Sequence, residues 1–195
     1  MRIFLGTYTD GGAFFPSSRG GGIMTCRLDV ADGSDSGLRS AAEVTNPSWI
    51  HLADRGKRLF SVSELFDRPG EVHGFDLAAN GHLAHCSTQS SHGLATCHLT
   101  TTGTHLFAAS YLDGRLSVYP REKGRIGEAI EVVQYTGSGP NPDRQEAAHA
   151  HQAAVSPDGR WLYVCDLGAD CIHQHDLGDG AHSAVRDIKV APGAG

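Results

Sequence analysis

The chain lacks any run of about 18 apolar residues, the length a membrane-crossing helix requires, so no membrane span is expected. Aromatic residues make up only 7% of the 195 positions, so a core has to be assembled from small aliphatic side chains. Basic residues are outnumbered, 16 against 22 acidic, for a net charge of −6. Nucleic-acid binders usually carry a basic face, so nucleic acid is not an expected partner. No Cys-x-x-Cys pair occurs, which removes the commonest structural zinc spacing. The five cysteines are an odd number, and Met1–Asp10 has no signal-peptide design. Reduced thiols in a cytoplasmic setting are therefore expected, with Cys165 and Cys171 read as small buried or half-buried residues. There is no Gly-x-Ser-x-Gly elbow, which disfavours a serine hydrolase of that type. The glycine-rich "GGAFFPSSRGGG" has no Lys-Ser/Thr and no helix after it, so it is not a phosphate-binding loop. It reads instead as a rim lid carrying Phe14 and Phe15.

What the chain has is glycine, 25 residues of it, and a repeat. "NPSWIHLADRGKRLFSVSE", "ATCHLTTTGTHLFAASY" and "HAHQAAVSPDGRWLYVCDL" each read as a short strand, a glycine turn and a stronger strand. "RIFLGTY" matches the stronger strand without a partner before it. Equivalent positions Ile3, Leu59, Leu106 and Leu162 are 56, 47 and 56 residues apart. Two further strand patterns follow each time. Four short antiparallel strands per roughly 50 residues are the mark of a β-propeller blade. The expected fold is all-β: a propeller of about four four-stranded blades, in units 1–45, 46–92, 93–145 and 146–195, with the first missing its innermost strand. Such an arc leaves faces open, and the expectation is a truncated or incomplete ring that self-association would cover.

Alternating strand direction sorts the loops. Tight turns such as "DRGK" and "PDGR" fall at one end and read as scaffold. The loops "ELFDRPG", "YLDG", "DLGAD" and "TGSGPNPDRQEAAHAH" fall at the other. Glu64, Tyr111, Arg144, Gln145, Glu146, His149, His151, Asp166 and Asp170 should therefore share one end, and loops on a rigid scaffold are where binding residues concentrate. If a strand begins at the His-Ala-His run, His149 and His151 point to the same side. That pair reads as a general base, a metal-ligand pair or simple caps of backbone groups. Arg144 reads as an anion clamp or as a loop ion pair with Asp143 or Glu146. Glu64 and Asp166 each end a strand and read either as site carboxylates or as caps for loop N–H groups. His73, His82, His85, His173, His175 and His182 look scattered over the surface.

The runs "GPNPDRQEAAHAHQAAVSPDGRWLYVCDLGAD", "HLFAASYLDGRLSVYP" and "NPSWIHLADRGKRLFSVSE" resemble the propeller-type lactonases, which include cycloisomerase-like 6-phosphogluconolactonases and carboxy-muconate lactonizing enzymes. The resemblance covers the whole chain and implies a seven-bladed ring, of which these are the first four units. It implies hydrolysis of a sugar-acid lactone, 6-phosphogluconolactone first among them, with no required metal and no cofactor. It places His149, His151, Arg144 and Glu64 in catalysis, and Gln145, Gln152, Asp166 and Tyr111 against the substrate. The alternatives are a muconate-type cycloisomerase, or a non-catalytic propeller that binds a sugar acid or a protein.

Overall fold

A computed structural model describes residues 1–10, 12, 15–178 and 184–193. The proposed lid residue Phe14 and His182 lie outside the described residues. No helix among those described is long and apolar enough to cross a membrane.

The described residues form four antiparallel sheets laid out as propeller blades. The first holds β1 (Arg2–Gly6), β2 (Ile23–Arg27) and β3 (Arg39–Ala42), in that order. The second holds β4 (Ile50–Ala53), β5 (Arg58–Ser63), β6 (Glu71–Leu77) and β7 (Leu83–Ser90). The third holds β8 (Thr96–Thr101), β9 (His105–Ser110), β10 (Arg115–Glu122), β11 (Arg125–Ile126) and β12 (Glu131–Gln134). The fourth runs β13 (Ala150–Val155), β14 (Trp161–Asp166), β15 (Cys171–Asp176), β16 (Ala184–Lys189). As expected, the first sheet has three strands and no partner before β1.

The third sheet departs from the simple pattern, because its outer strand is split into β11 and β12, both paired to β10. The carbonyl of Pro120 on β10 points to that edge, where it accepts the Gly127 N–H at 2.8 Å. A residue in a strand directs its N–H and C=O to the same side. Proline has no N–H to give, so the outer ladder breaks there.

The core is not one mass but three clusters, one between each pair of successive sheets. Ile23, Val44, Leu59 and Phe75 fill the first gap, Phe60, Val62, Leu99 and Leu106 the second, and Phe107, Leu116, Leu162 and Val164 the third. The β14 strand shows why a sequence of this kind stacks. Leu162, Val164 and Asp166 are buried while Trp161, Tyr163 and Cys165 are half-buried, the two-residue alternation of a sheet with one covered face. Each fully buried Leu or Phe contributes about 1.5–3 kcal/mol, so the stacking of blades, rather than any single blade, stabilises the arc. A half-buried ion pair adds to it: Arg121 on β10 grips both oxygens of Asp54, in the turn between β4 and β5, at 2.9 and 3.0 Å.

Candidate active site

The long connection into β13 is stapled down by Gln145. Its side-chain oxygen accepts the Asn141 N–H at 3.1 Å, and its nitrogen donates to Leu167 O and Asp170 Oδ1, each at 2.8 Å. With 2% of its surface exposed and both ends of its amide hydrogen-bonded, Gln145, expected against the substrate, holds the loop in place. Two glycines let the loop settle. A Cβ on Gly168 would overlap the Ala147 carbonyl oxygen. One on Gly114, which has φ +58°, would lie 2.5 Å from the Ala148 carbonyl oxygen.

His149 and His151 do not share a side. The β13–β14 register slips between Ala150, opposite Asp166, and Gln152, opposite Cys165, so His151 is the extra residue of a β-bulge. The bulge turns His151 outward and leaves His149 inside, 3% exposed. The Nδ1 of His149 faces the Tyr111 carbonyl at 2.9 Å, and its Nε2 faces Glu146 Oε1 at 3.1 Å. Both partners only accept. His149 is thus a buried donor that ties the loop to the third sheet. Neither ring nitrogen of His151 has a hydrogen-bond partner among the described residues, and its ring meets the edge of Tyr111 at 5.7 Å. Gln152 beside it is exposed.

The same slip occurs in β8, between Thr96 and His98, which makes Cys97 the counterpart of His151 one blade earlier. The Cys97 thiol points at the His151 carbonyl, 3.4 Å away. Burial and then the nearby Glu64 push that thiol up to about 12, so it is not a nucleophile near neutrality. His98 also borders this region, but burial, with His51 and His151 near it, pulls it down to about 4.

Glu64, at the end of β5, accepts the Tyr8 hydroxyl at 2.5 Å. Tyr8 comes from the first sheet, and Asn46 fixes the approach: its Oδ1 accepts the N–H of Thr9 and of Asp10, both at 2.9 Å, and its Nδ2 donates to the Glu64 carbonyl at 3.1 Å. Phe15, the described member of the lid pair, packs its ring 4.7 Å from Tyr8. Tyr8 and Asn46 were absent from the sequence expectations. Their only signal was Asn46 opening a repeat unit, just ahead of its innermost strand.

Asp166, read from the sequence either as a site carboxylate or as a cap, caps loop N–H groups. Its Oδ1 accepts the N–H of His149 at 2.8 Å and of Ala169 at 3.0 Å, and its Oδ2 faces His173 Nε2 at 3.1 Å. His73, His173 and His175 are buried rather than superficial, since all three lie on the covered faces of middle strands. Asp166, Cys171 and His173 bring three potential metal ligands within 4.8 Å. The Cys171 sulfur, however, is 3.6 Å from Nε2 and 3.9 Å from Nδ1 of His173. Near-equal distances put it over the ring, whereas a metal bound at Nε2 lies in the ring plane and holds its other ligands beyond that nitrogen. The group is a hydrogen-bonded clamp.

Arg144 is exposed and makes no ion pair or side-chain hydrogen bond among the described residues, whereas Arg68 at the same end is tied to Asp67 at 3.1 Å. The arrangement therefore presents one unengaged imidazole, one unengaged guanidinium, a carboxylate held by a phenol, and a groove of 340 Å³ running from His151 past Leu167 and Ile172 to Val190.

A family profile described as lactonase, 7-bladed beta-propeller matches residues 2–195. The 6-phosphogluconolactonase of Bacillus subtilis is 30% identical over 98% of this chain and 54% of its own length. That of Formosa agariphila is 30% identical over 99% and 56%. The crystal structure of a Bacteroides fragilis protein superposes with a TM-score of 0.88 at 32% identity, over 100% of this chain and 56% of that one. The periplasmic gluconolactonase of Pseudomonas aeruginosa gives 0.87 at 27%, over 100% and 56%. The chain spans about half the length of the relatives it matches.

Proposed function

Because the chain belongs to the seven-bladed β-propeller lactonase family, we propose that it carries the site of a lactone hydrolase, with His151 as general base and Arg144 as anion clamp. The observation that carries this reading is the bulge in β13, which turns His151 out of the ladder with both ring nitrogens unengaged. Bulges of this kind re-aim side chains beside active sites.

In this reading water attacks the lactone carbonyl while a ring nitrogen of His151 takes its proton. The carbonyl electron pair moves onto oxygen, and Arg144 stabilises that charge or holds the substrate's own anionic group. When the pair returns, the ring C–O bond breaks, and the His151 proton passes to the departing alkoxide. A positioned base contributes about 10²–10⁴-fold, enough to matter for an ester that opens unaided in water. Glu64, fixed by Tyr8, orients the water or a sugar hydroxyl. Tyr111 and Gln152 line the approach.

The substrate is a phosphorylated sugar-acid lactone, 6-phosphogluconolactone, in keeping with the names of the Bacillus and Formosa relatives and with a free guanidinium at the mouth. Five unpaired thiols support a cytoplasmic setting, and the unpaired edge of β1 supports self-association. The test is hydrolysis of freshly generated 6-phosphogluconolactone by the 195-residue chain, above the spontaneous rate, beside His151→Ala. Acceleration that disappears in the variant is expected. Acceleration equal in both removes His151 from the mechanism.

A further inference from the structure

We propose that His173 and Asp187 are positioning residues for the strand that carries His149 and His151, acting through Asp166 as a relay from the protein surface to the site. The inference rests on the reading of His151 above.

The relay follows from register. Asp166 on β14 lies opposite Cys171 on β15, and His173, two residues on, shares its face and lies opposite Asp187 on β16. Asp187 Oδ1 sits 2.7 Å from His173 Nδ1, and His173 Nε2 sits 3.1 Å from Asp166 Oδ2. Asp166 Oδ1 then takes the backbone N–H of His149 and of Ala169. The outer end is open to solvent, with the Asp187 side chain 49% exposed, and the inner end is sealed, with that of Asp166 at 0%.

Both ring nitrogens of His173 face carboxylates, which accept and cannot donate. Only the imidazolium satisfies both, and its charge offsets that of a carboxylate otherwise buried with backbone donors alone. The ring is also clamped in place. Tyr135 stacks on one face, 3.8 Å away and 1° from parallel, and its hydroxyl meets His175 Nε2 at 2.6 Å. The Cys171 sulfur lies against the ring as well. The groups facing His173 are thus Asp166 from β14, Cys171 from its own strand, Asp187 from β16 and Tyr135 from the segment after β12. Lys189 and Asp170 act on Cys171, and Glu131 on Tyr135, from further off. Burial alone would lower the pKa of His173, but the hydrogen bonds to Asp166 and Asp187 outweigh it and leave it raised.

This places a buried charge, hydrogen-bonded to the half-exposed Asp187, in control of the backbone that aims His151. Without the imidazolium, Asp166 loses its strongest donor, and its hold on His149 and Ala169 has to change.

The experiment is nuclear magnetic resonance on the chain labelled with ¹⁵N in its histidines and backbone, across a pH series, as wild type and as Asp187→Asn. Expected are two protonated ring nitrogens on His173 at neutral pH and slow exchange of the His149 and Ala169 amides. That protection should fall as His173 loses its proton, and in Asp187→Asn the fall should come at lower pH, by about one unit for the loss of one adjacent charge. A neutral His173 at neutral pH in the wild type overturns the proposal, whether or not the variant folds. So does a variant whose titration and amide protection match the wild type. In the lactonase assay, Asp187→Asn should lower kcat with KM unchanged, and Asp187→Glu should restore it. Absence of all turnover counts against the reading of His151, while the resonance data decide the relay.

Discussion

The ring of Tyr111 lies 4.5 Å from that of His149 and 14° from parallel, while the Tyr111 carbonyl accepts the His149 Nδ1–H at 2.9 Å. A residue in the turn after β9 thereby holds the residue just before β13 by its backbone and its side chain together. Two residues further along, His151 has no such bond. Two histidines that look equivalent in the sequence differ in what their rings bond.

His149→Ala should therefore be a stability variant and His151→Ala an activity variant. Removing the His149 ring leaves the part-buried Tyr111 carbonyl to the longer bond from the Gly114 N–H at 3.4 Å and opens a gap, at a cost of about 1–3 kcal/mol. His151→Ala, at an exposed bulge, should melt within about 0.5 kcal/mol of wild type. Thermal melts of both, beside lactonase rates, check this. Equal destabilisation by the two would contradict the division.

Arg144→Ala should leave the melting curve unchanged, because the side chain is exposed and forms no ion pair or hydrogen bond among the described residues. A charged hydrogen bond to an anionic substrate is worth about 1.5–3 kcal/mol, so KM for a phosphorylated lactone should rise by about one to two orders of magnitude. A lactone without the phosphate should be affected far less if Arg144 holds that group. Equal loss with both lactones would instead assign Arg144 to the oxyanion.

Tyr8→Phe keeps the ring against Phe15 and deletes only the hydroxyl that Glu64 accepts. The carboxylate is 8% exposed, so losing its donor should cost about 1.5–3 kcal/mol by denaturant titration. Glu64→Gln in the Tyr8→Phe background should recover part of that loss, since an amide tolerates burial without a donor better than a carboxylate does. No recovery would mean that Tyr8 acts through packing alone.

The Asp54–Arg121 pair should set part of the acid limit of the fold. Hydrogen bonds from Arg121 hold the Asp54 carboxyl below the usual carboxylate range, against the smaller effect of burial. A group with a lowered folded pKa contributes stability that is present above its unfolded value, and that stability is lost as pH falls through the folded one. Asp54→Asn should thus be less stable near neutrality and show a flatter fall in stability below pH of about 4. A wild-type acid limb unchanged by the substitution would rule the pair out as its source.

Much of the fold was legible because a blade is a local object. The glycine turns, the two-residue alternation and the recurrence of Leu59, Leu106 and Leu162 are all written within roughly 50 residues of one another. The short first sheet was legible for the same reason, since "RIFLGTY" had no partner strand before it. So was the crowding of Glu64, Tyr111, Arg144, His149 and His151 at one end, which follows from strand direction alone. What spacing left open was orientation. The two-residue rule placed both histidines on one side, and a single inserted residue in β13 undid it, because a bulge is a property of two paired strands and not of either by itself. Gln145 and Asp166 carry the polar atoms of ligand-binding residues, yet backbone groups, the Asp170 carboxylate and the His173 ring already engage them. Tyr8 reaches Glu64 across 56 positions, and His173 reaches Asp187 across a strand pair. The sequence by itself determined the blades and which residues gather at their mouth, because both follow from local pattern and chain direction. Only the tertiary structure decided which of those residues are free to meet a ligand, because that depends on which hydrogen bonds the packed blades have already used.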